Sequence, residues 1–311
     1  MASGVANRAW SLGRDLVLRV PRTEAFVADL VKEAAVIPVA RGAGVRTPAL
    51  VTFDDSRDDA DVPYMVLERA PGADLADVLE AGGAAGGVFR EVGRELARLH
   101  RVTPGGEPAG VPVEYDPDVG APRRLVEGLL ADGMLDADAA RWLGGWFDRL
   151  AARIPGAASR VLVHGDIAPQ NLLVRPGPDS PALTGIVDWG DAMWADPAVE
   201  FAKTPLWGVP AMLDGYREGG AAAADGGSGG SYGAGGSYNT YNVYDASYDS
   251  YSPYAWEARV LRYHLTWALA RLTNPAPVTG ERHWTAPPAA RLLGILRFFA
   301  SSPPEPWSAL A

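Results

Sequence analysis

Val161-Leu-Val-His164-Gly-Asp166-Ile-Ala-Pro-Gln-Asn171-Leu-Leu-Val174, followed by Gly185-Ile-Val-Asp188-Trp-Gly190, is the stretch on which the reading of this chain turns. Val161 to Val163 and Leu172 to Val174 are short β-branched and leucine runs of the kind that form buried strands. Arg175 to Pro181 is dense in proline, glycine and aspartate, the residues of turns. If Leu172 to Val174 runs up a ribbon and Leu183 to Val187 runs back, Asp188 returns to the level of Asn171, with Asp166 in the loop nearby. Two carboxylates and an amide oxygen then face one site. These are the hard oxygen donors that Mg²⁺ prefers when phosphates complete its shell. The two carboxylates divide into a proton acceptor and a metal ligand, which is the layout of a phosphoryl-transfer site. The plainer alternative is an Asx-rich turn whose polar side chains only satisfy nearby backbone groups.

His164-Gly165-Asp166, with Asn171 five positions beyond Asp166 and Asp188-Trp-Gly190 past a hairpin, resembles the catalytic and metal-binding loops of the aminoglycoside phosphotransferase family, relatives of the protein kinases. The resemblance implies an α+β, two-lobed, protein-kinase-like fold. Residues 1–70 would form a small N-lobe with an antiparallel sheet and one helix, and residues 71–311 a larger, mainly helical C-lobe. It also implies that Asp166 accepts or orients the proton of a substrate hydroxyl, while Asn171 and Asp188 hold Mg²⁺ against the phosphates of ATP or GTP. Ile167-Ala-Pro-Gln170 has no basic residue, unlike the lysine many protein kinases carry in this loop, which disfavours a peptide acceptor. The likeness covers roughly Gly4 to Leu213 and returns weakly after Trp256.

Upstream, Trp10 to Pro21 alternates like one strand, with Arg19 as its inward charge. In the family this strand carries a lysine or arginine that reaches the α and β phosphates and pairs with a glutamate from the next helix. Arg19 fits the first role, and Glu33, in the helically spaced run Ala25 to Ile37, fits the second. An arginine keeps its charge and grips two oxygens, so it can serve here. Taken alone, such a pair reads equally as a surface ion pair. Gly4-Val-Ala-Asn7-Arg8 resembles the remains of a loop over the phosphates, and with only Met1 to Ser3 ahead of it the N-lobe is expected to be short of its first strand. Val45 to Phe53 and Val62 to Glu68 read as two more strands of the sheet. Glu68-Arg-Ala70-Pro-Gly72 then resembles the hinge between lobes, where the carbonyl of Glu68 and the amide of Ala70 would hold the purine. Pro71 has no amide to offer.

At 311 residues and 48% apolar content the chain can bury a sizeable core. There is no cysteine, hence no disulfide, and no signal peptide or membrane-length apolar run, so a cytoplasmic location is the default expectation. A net charge of −10 argues against nucleic acid or an anionic membrane as partner and suits a cationic ligand. Oligomeric state is not legible.

The C-terminal part reads as helical over Val88 to His100, Arg123 to Leu130, Ala137 to Ile154, Ala255 to Leu272 and Pro287 to Phe299. His100 reads as a structural helix end and His264 as core; His283, in a loop, could touch substrate. Asp196-Pro-Ala-Val-Glu200 reads as a capped helix start. Where Glu200 stands the family often has aspartate, and the longer side chain leaves its usual contact to the catalytic loop open. Asp191 reads either as an acid standing behind Asp188 or as a solvated turn residue.

From Gly219 to Tyr254 the composition turns low-complexity, first a Gly/Ala/Ser linker type and then a stretch with seven of the eleven tyrosines. It falls where the family shapes its acceptor site, so Tyr241, Tyr244, Asp245, Tyr248 and Asp249 form either an aromatic and acidic lid on substrate or a segment without a role. Gly226-Gly-Ser-Gly-Gly230 mimics a nucleophile elbow but lacks the flanking strand and helix. The chain is therefore expected to be a cytoplasmic, ATP- or GTP-binding kinase that phosphorylates a hydroxyl of a small molecule. An aminoglycoside or nucleoside antibiotic leads, conferring resistance. A metabolic kinase for a sugar, choline-like amine or amino alcohol is the runner-up, and a nucleotide-binding pseudokinase is the alternative of another class.

Overall fold

The structure is a computed structural model that describes residues 6–58, 60–102, 110–113, 121–154, 156, 160–177, 181–225, 253–273 and 289–311. Gly13, at φ +65, turns the chain inside the run that alternation reads as a single strand. Two strands result, β1 (Asn7–Leu12) and β2 (Leu16–Pro21), paired antiparallel with Ala9 opposite Arg19. The expectation of one strand is corrected accordingly: apolar residues on both sides of Gly13 continue the alternation across the turn, and the positive φ that glycine tolerates makes the hairpin. β3 (Leu50–Asp54) and β4 (Tyr64–Glu68) complete an antiparallel sheet in the order β1-β2-β4-β3. Between β2 and β3 runs α1 (Val27–Gly42), which buries Leu30, Ala34, Val36 and Ile37 together with Glu33.

Beyond β4 the chain is seated on the ribbon quoted above. β7 (Leu172–Arg175) and β8 (Ala182–Ile186) pair antiparallel with Leu172 opposite Ile186, and the two-residue β5 (Ala73–Asp74) adds to the edge of β7. Gly72 has φ +119, and a Cβ there would lie 2.1 Å from the Val174 carbonyl oxygen, so both backbone angle and space demand glycine. β6 (Val161–Val163) pairs with β9 (Met193–Ala195), which returns the chain to the start of the loop that carries Asp166.

Helices support this ribbon. α2 (Leu75–Glu80) follows β5, and α3 (Gly86–Leu99) packs along α6 (Val209–Asp225). Their crossing is backbone on backbone: a Cβ on Gly93 would sit 1.9 Å from the Met212 carbonyl oxygen, and one on Gly215 1.9 Å from that of Arg90. Glu218 is clasped across the crossing by Arg90 and Arg94. The linker expected from Gly219 onward begins later than composition implies, since α6 continues to Asp225. Ala221 to Ala224 are the best helix formers, and Gly219 serves the close packing, its Cβ position lying 2.6 Å from the Ala97 Cβ.

The chain divides into two compact units, residues 1–114, 159–200 and 207–244 in one and 115–158, 201–206 and 245–311 in the other. All elements described so far belong to the first. The second holds α4 (Ala121–Ala131), α5 (Ala137–Ala151), α7 (Ala255–Thr273) and α8 (Ala290–Ala300). Trp146 anchors its core, donating its indole N–H to the Leu310 carbonyl at 2.6 Å. Among the described residues no helix is long and apolar enough to cross a membrane.

His264 lies buried on α7, as expected of a core histidine. Burial and the nearby Arg291 charge hold it well below the ordinary histidine value despite a hydrogen bond with the Phe201 backbone. The unfolded chain therefore takes up this proton first as acid is added. Stability is fully present above about pH 6.5 and is lost as pH falls below it, by up to about 1.4 kcal/mol per pH unit for this one proton. Melting curves between pH 7.5 and 5.5 should fall for the wild type and fall less steeply for His264→Phe. Equal slopes would remove His264 as the source.

Candidate active site

The ribbon brings its polar residues to one end. Val187 N donates to the Asn171 carbonyl at 3.0 Å, which sets Asn171 and Asp188 side by side where β7 begins and β8 ends. Asn171 Nδ2 donates to the Asp166 carbonyl at 2.9 Å and to its carboxylate Oδ2 at 2.7 Å. The amide group is thereby oriented, with its oxygen left as the acceptor end. Asp188 adopts a left-handed conformation, φ 71 and ψ 65, which a non-glycine residue holds only where its surroundings impose it.

The third partner arrives from the sheet. Arg19 spans two carboxylates: one nitrogen bonds Glu33 Oε1 and the other donates to Asp188 Oδ1 at 2.9 Å. Burial alone would pull the guanidinium down, but the charges of Glu33 and Asp188 outweigh it and hold Arg19 above its ordinary value. Glu33 goes the other way for an arginine-paired acid. Burial raises it, Arg19 lowers it, Asp188 raises it again, and it stands pushed up to about 7. The cause is physical: desolvation of a wholly buried carboxylate, with the Asp188 charge beside it, outweighs the one cation the two acids share.

The loop carrying Asp166 is hung from a single side chain. Glu200, wholly buried, accepts from the backbone N of His164 and, at 3.1 Å, from that of Gly165. The extra methylene relative to aspartate therefore leaves a contact with both amides. Glu200 is itself backed by His100, whose Nε2 lies 3.7 Å from Oε1 and whose Nδ1 is 2.8 Å from the Tyr216 hydroxyl. Burial, then the charges of Glu200 and Asp196, push the Tyr216 hydroxyl up, so it stays protonated. Asp196 caps the following turn, accepting from Ala198 N at 2.9 Å. Gly165 is required by position as well as by its φ of +80, because a Cβ would meet the Asp191 carbonyl oxygen at 2.4 Å.

The structure thus places Arg19, Glu33, Asp166, Asn171 and Asp188 in one connected group. Glu68 ends β4 and Ala70 lies two residues beyond it, on the segment that Gly72 seats against β7; Thr184 Oγ1 secures it by donating to the Pro71 carbonyl at 2.6 Å. Asp191 closes the short helical turn Trp189–Asp191 with its side chain exposed. Tyr241, Tyr244, Asp245, Tyr248 and Asp249 lie outside the described residues, as do Gly226 to Gly230 and His283. Sequence reasoning missed the roles of His100 and Tyr216 behind Glu200, and of Thr47, whose hydroxyl accepts from the Trp189 indole N–H at 3.0 Å. Glu200 itself is singled out by the family resemblance, with its contact left open; Thr47, 142 positions from Trp189, carries no local signal.

No cluster of three or more metal-ligating His, Cys, Asp or Glu occurs among the described residues. A sheet-borne cation between two carboxylates beside an Asp–Asn loop is the layout of a phosphotransferase with a protein-kinase-like fold. A family model for the phosphotransferase enzyme family (APH) matches residues 1–231, and the chain belongs to that family. It is 30% identical over 227 residues to viomycin phosphotransferase of Streptomyces vinaceus, a span covering 68% of this chain and 76% of the relative. In structure it is similar to the GDP complex of wild-type aminoglycoside 2'-phosphotransferase-IIIa, at TM-score 0.65 and 18% identity over 97% of this chain and 92% of that one. A choline/ethanolamine kinase family protein from Mesorhizobium loti gives TM-score 0.57 at 20% identity over 99% and 88%. The fold is accordingly the α+β, protein-kinase-like one, and the chain is a phosphotransferase enzyme.

Proposed function

We propose that this enzyme transfers the γ-phosphoryl group of ATP or GTP to a hydroxyl of an antibiotic. The observation that carries the reading is the connected group Arg19, Glu33, Asp166, Asn171 and Asp188, joined by the side-chain bonds Arg19–Glu33, Arg19–Asp188 and Asn171–Asp166 and by the backbone bond from Val187, the residue before Asp188, to Asn171. Asp166 is the acceptor, or the orienting partner, of the hydroxyl proton; Asn171 steadies it. Arg19, charged throughout, binds phosphate oxygens, and Glu33 holds its other arm. The acceptor oxygen forms its bond to the γ-phosphorus as the β–γ bridging bond breaks, and the nucleoside diphosphate leaves with the bridging oxygen.

The donor set fits Mg²⁺. The amide hydrogens of Asn171 are spent on Asp166, so its oxygen and the Asp188 carboxylate form the sparse pair that Mg²⁺ accepts when phosphates and water fill the remaining positions. When bound, the ion would neutralise charge on the phosphate oxygens. On the same reading residues 1–70 form the nucleotide lobe, the Glu68 carbonyl and Ala70 amide meet the base, and residues 71–311 form the catalytic and acceptor lobe. Asp191, with Tyr241, Tyr244, Asp245 and Asp249 in the insert 219–254, is assigned to the acceptor side.

Support for an antibiotic acceptor comes from the viomycin phosphotransferase relative and from a structural relative, APH(2")-IIIa, solved with GDP and kanamycin. The net charge of −10 favours a cationic acceptor. Incubating the enzyme with ATP or GTP and a panel of viomycin, kanamycin, streptomycin, a nucleoside antibiotic and choline should produce a mass gain of about 80 Da on an antibiotic, with the charge change of phosphorylation. A gain on choline alone would replace the antibiotic reading with the metabolic one. Donor consumption that never depends on Mg²⁺ would remove the metal assignment.

A further inference from the structure

Both N–H groups of Trp189, the residue after Asp188, are held. Its backbone N donates to Glu33 Oε1 at 3.3 Å; its indole Nε1 donates to Thr47 Oγ1 at 3.0 Å and, more distantly, to the Ile186 carbonyl at 3.3 Å. The ring is 1% exposed and stands against His164 with centroids 4.5 Å apart. Asp188 is therefore fixed from both sides in its left-handed conformation, by the Val187–Asn171 bond before it and by Trp189 after it.

Thr47 is itself rigidly placed. The neighbouring Arg46 carbonyl accepts from Ile186 N at 2.8 Å, and the Arg46 side chain bonds Glu95, Glu91 and the Leu183 carbonyl. Arg41 binds the Thr47 carbonyl, and Pro48 restricts the backbone of Thr47 to extended conformations. A hydroxyl held along β8 thus aims at a buried indole N–H, a group that needs an acceptor. Without it the indole would be drawn to the Ile186 carbonyl alone, and the turn that starts at Asp188 would shift with it.

We propose that Thr47 is a positioning residue for Asp188, acting through the indole N–H of Trp189. The proposal rests on the reading of Asp188 as a metal ligand, and it locates the effect in metal binding rather than in the proton handling at Asp166. Thr47→Val removes the hydroxyl at constant shape, and Thr47→Ser keeps it. Metal binding is read by electron paramagnetic resonance of Mn²⁺ titrated with ADP, beside the Mg²⁺ dependence of turnover. Thr47→Val should raise the half-saturating metal concentration about 5- to 10-fold, the effect of one neutral hydrogen bond. Turnover at saturating metal should stay within about twofold, and Thr47→Ser should restore the wild-type titration. In a Trp189→Phe background, which lacks the N–H, Thr47→Val should add nothing. If Thr47→Val does not fold, Trp189→Phe alone carries the same expected metal shift. An unchanged metal titration in a Thr47→Val protein with a lowered melting temperature would overturn the proposal, as would an undiminished shift in the Trp189→Phe background. A wild-type enzyme that binds no Mn²⁺ with ADP would overturn the metal reading itself, and this inference with it.

Discussion

Asp166→Ala is expected to lower turnover by about 10²- to 10⁴-fold, the range for loss of a positioned proton-transfer group. The structure adds a second consequence, because the Asp166 carboxylate also accepts from Asn171 Nδ2 at 2.7 Å. Alanine removes that restraint along with the base and so loosens a proposed metal ligand. Asp166→Asn keeps an oxygen for Asn171 and removes only the basicity. Steady-state rates should collapse for both variants. Calorimetry of Mg²⁺-nucleotide binding should find the asparagine variant close to wild type and the alanine variant weaker. Full turnover in Asp166→Asn would take proton handling away from this residue. Equal nucleotide affinity in the two would take away its hold on Asn171.

Gly215→Ala should be, with the equally close Gly93, among the most damaging single-methyl changes. The added Cβ would sit 1.9 Å from a backbone carbonyl oxygen of α3, and no rotamer change can relieve a clash between two main chains. The helices must move apart, which strips the Arg90 and Arg94 clasp from Glu218 and unpacks the helix that ends at His100. A cost of at least about 3 kcal/mol follows from overpacking with nowhere to relax. For a protein of 311 residues that is a melting-point drop of roughly 5 °C. Gly128→Ala is the matched control, since its Cβ position is open, and it should leave the melting point unchanged or raise it slightly. Equal melting points for the two variants would mean that the α3–α6 crossing is far softer than its geometry.

The proximity of the site residues was legible where chemistry and local pattern coincide. Asp166, Asn171 and Asp188 lie on a ribbon whose strands and turn are written in leucine, valine, proline and glycine, so their meeting needs only a hairpin. The Arg19–Glu33 pair needed one strand and one helix, each with a clear period. What stayed hidden depends on tertiary contact. Gly13 reads as part of a strand because Leu12 and Leu16 keep the alternation going across it. Gly219 reads as linker because composition cannot tell a flexible glycine from one that admits a neighbouring helix. Thr47 and Tyr216 gain their meaning from partners more than a hundred positions away.

Arg19 has a practical corollary for chemistry aimed at this enzyme. An electrophile that labels a site through an amine needs that amine neutral, with its lone pair free. A guanidinium held above its already high ordinary value by two anionic neighbours offers no such lone pair. Reagents of that design would pass this site without reacting, whereas a reversible inhibitor bearing a flat oxyanion, matched to a two-pronged grip, has a counterpart waiting.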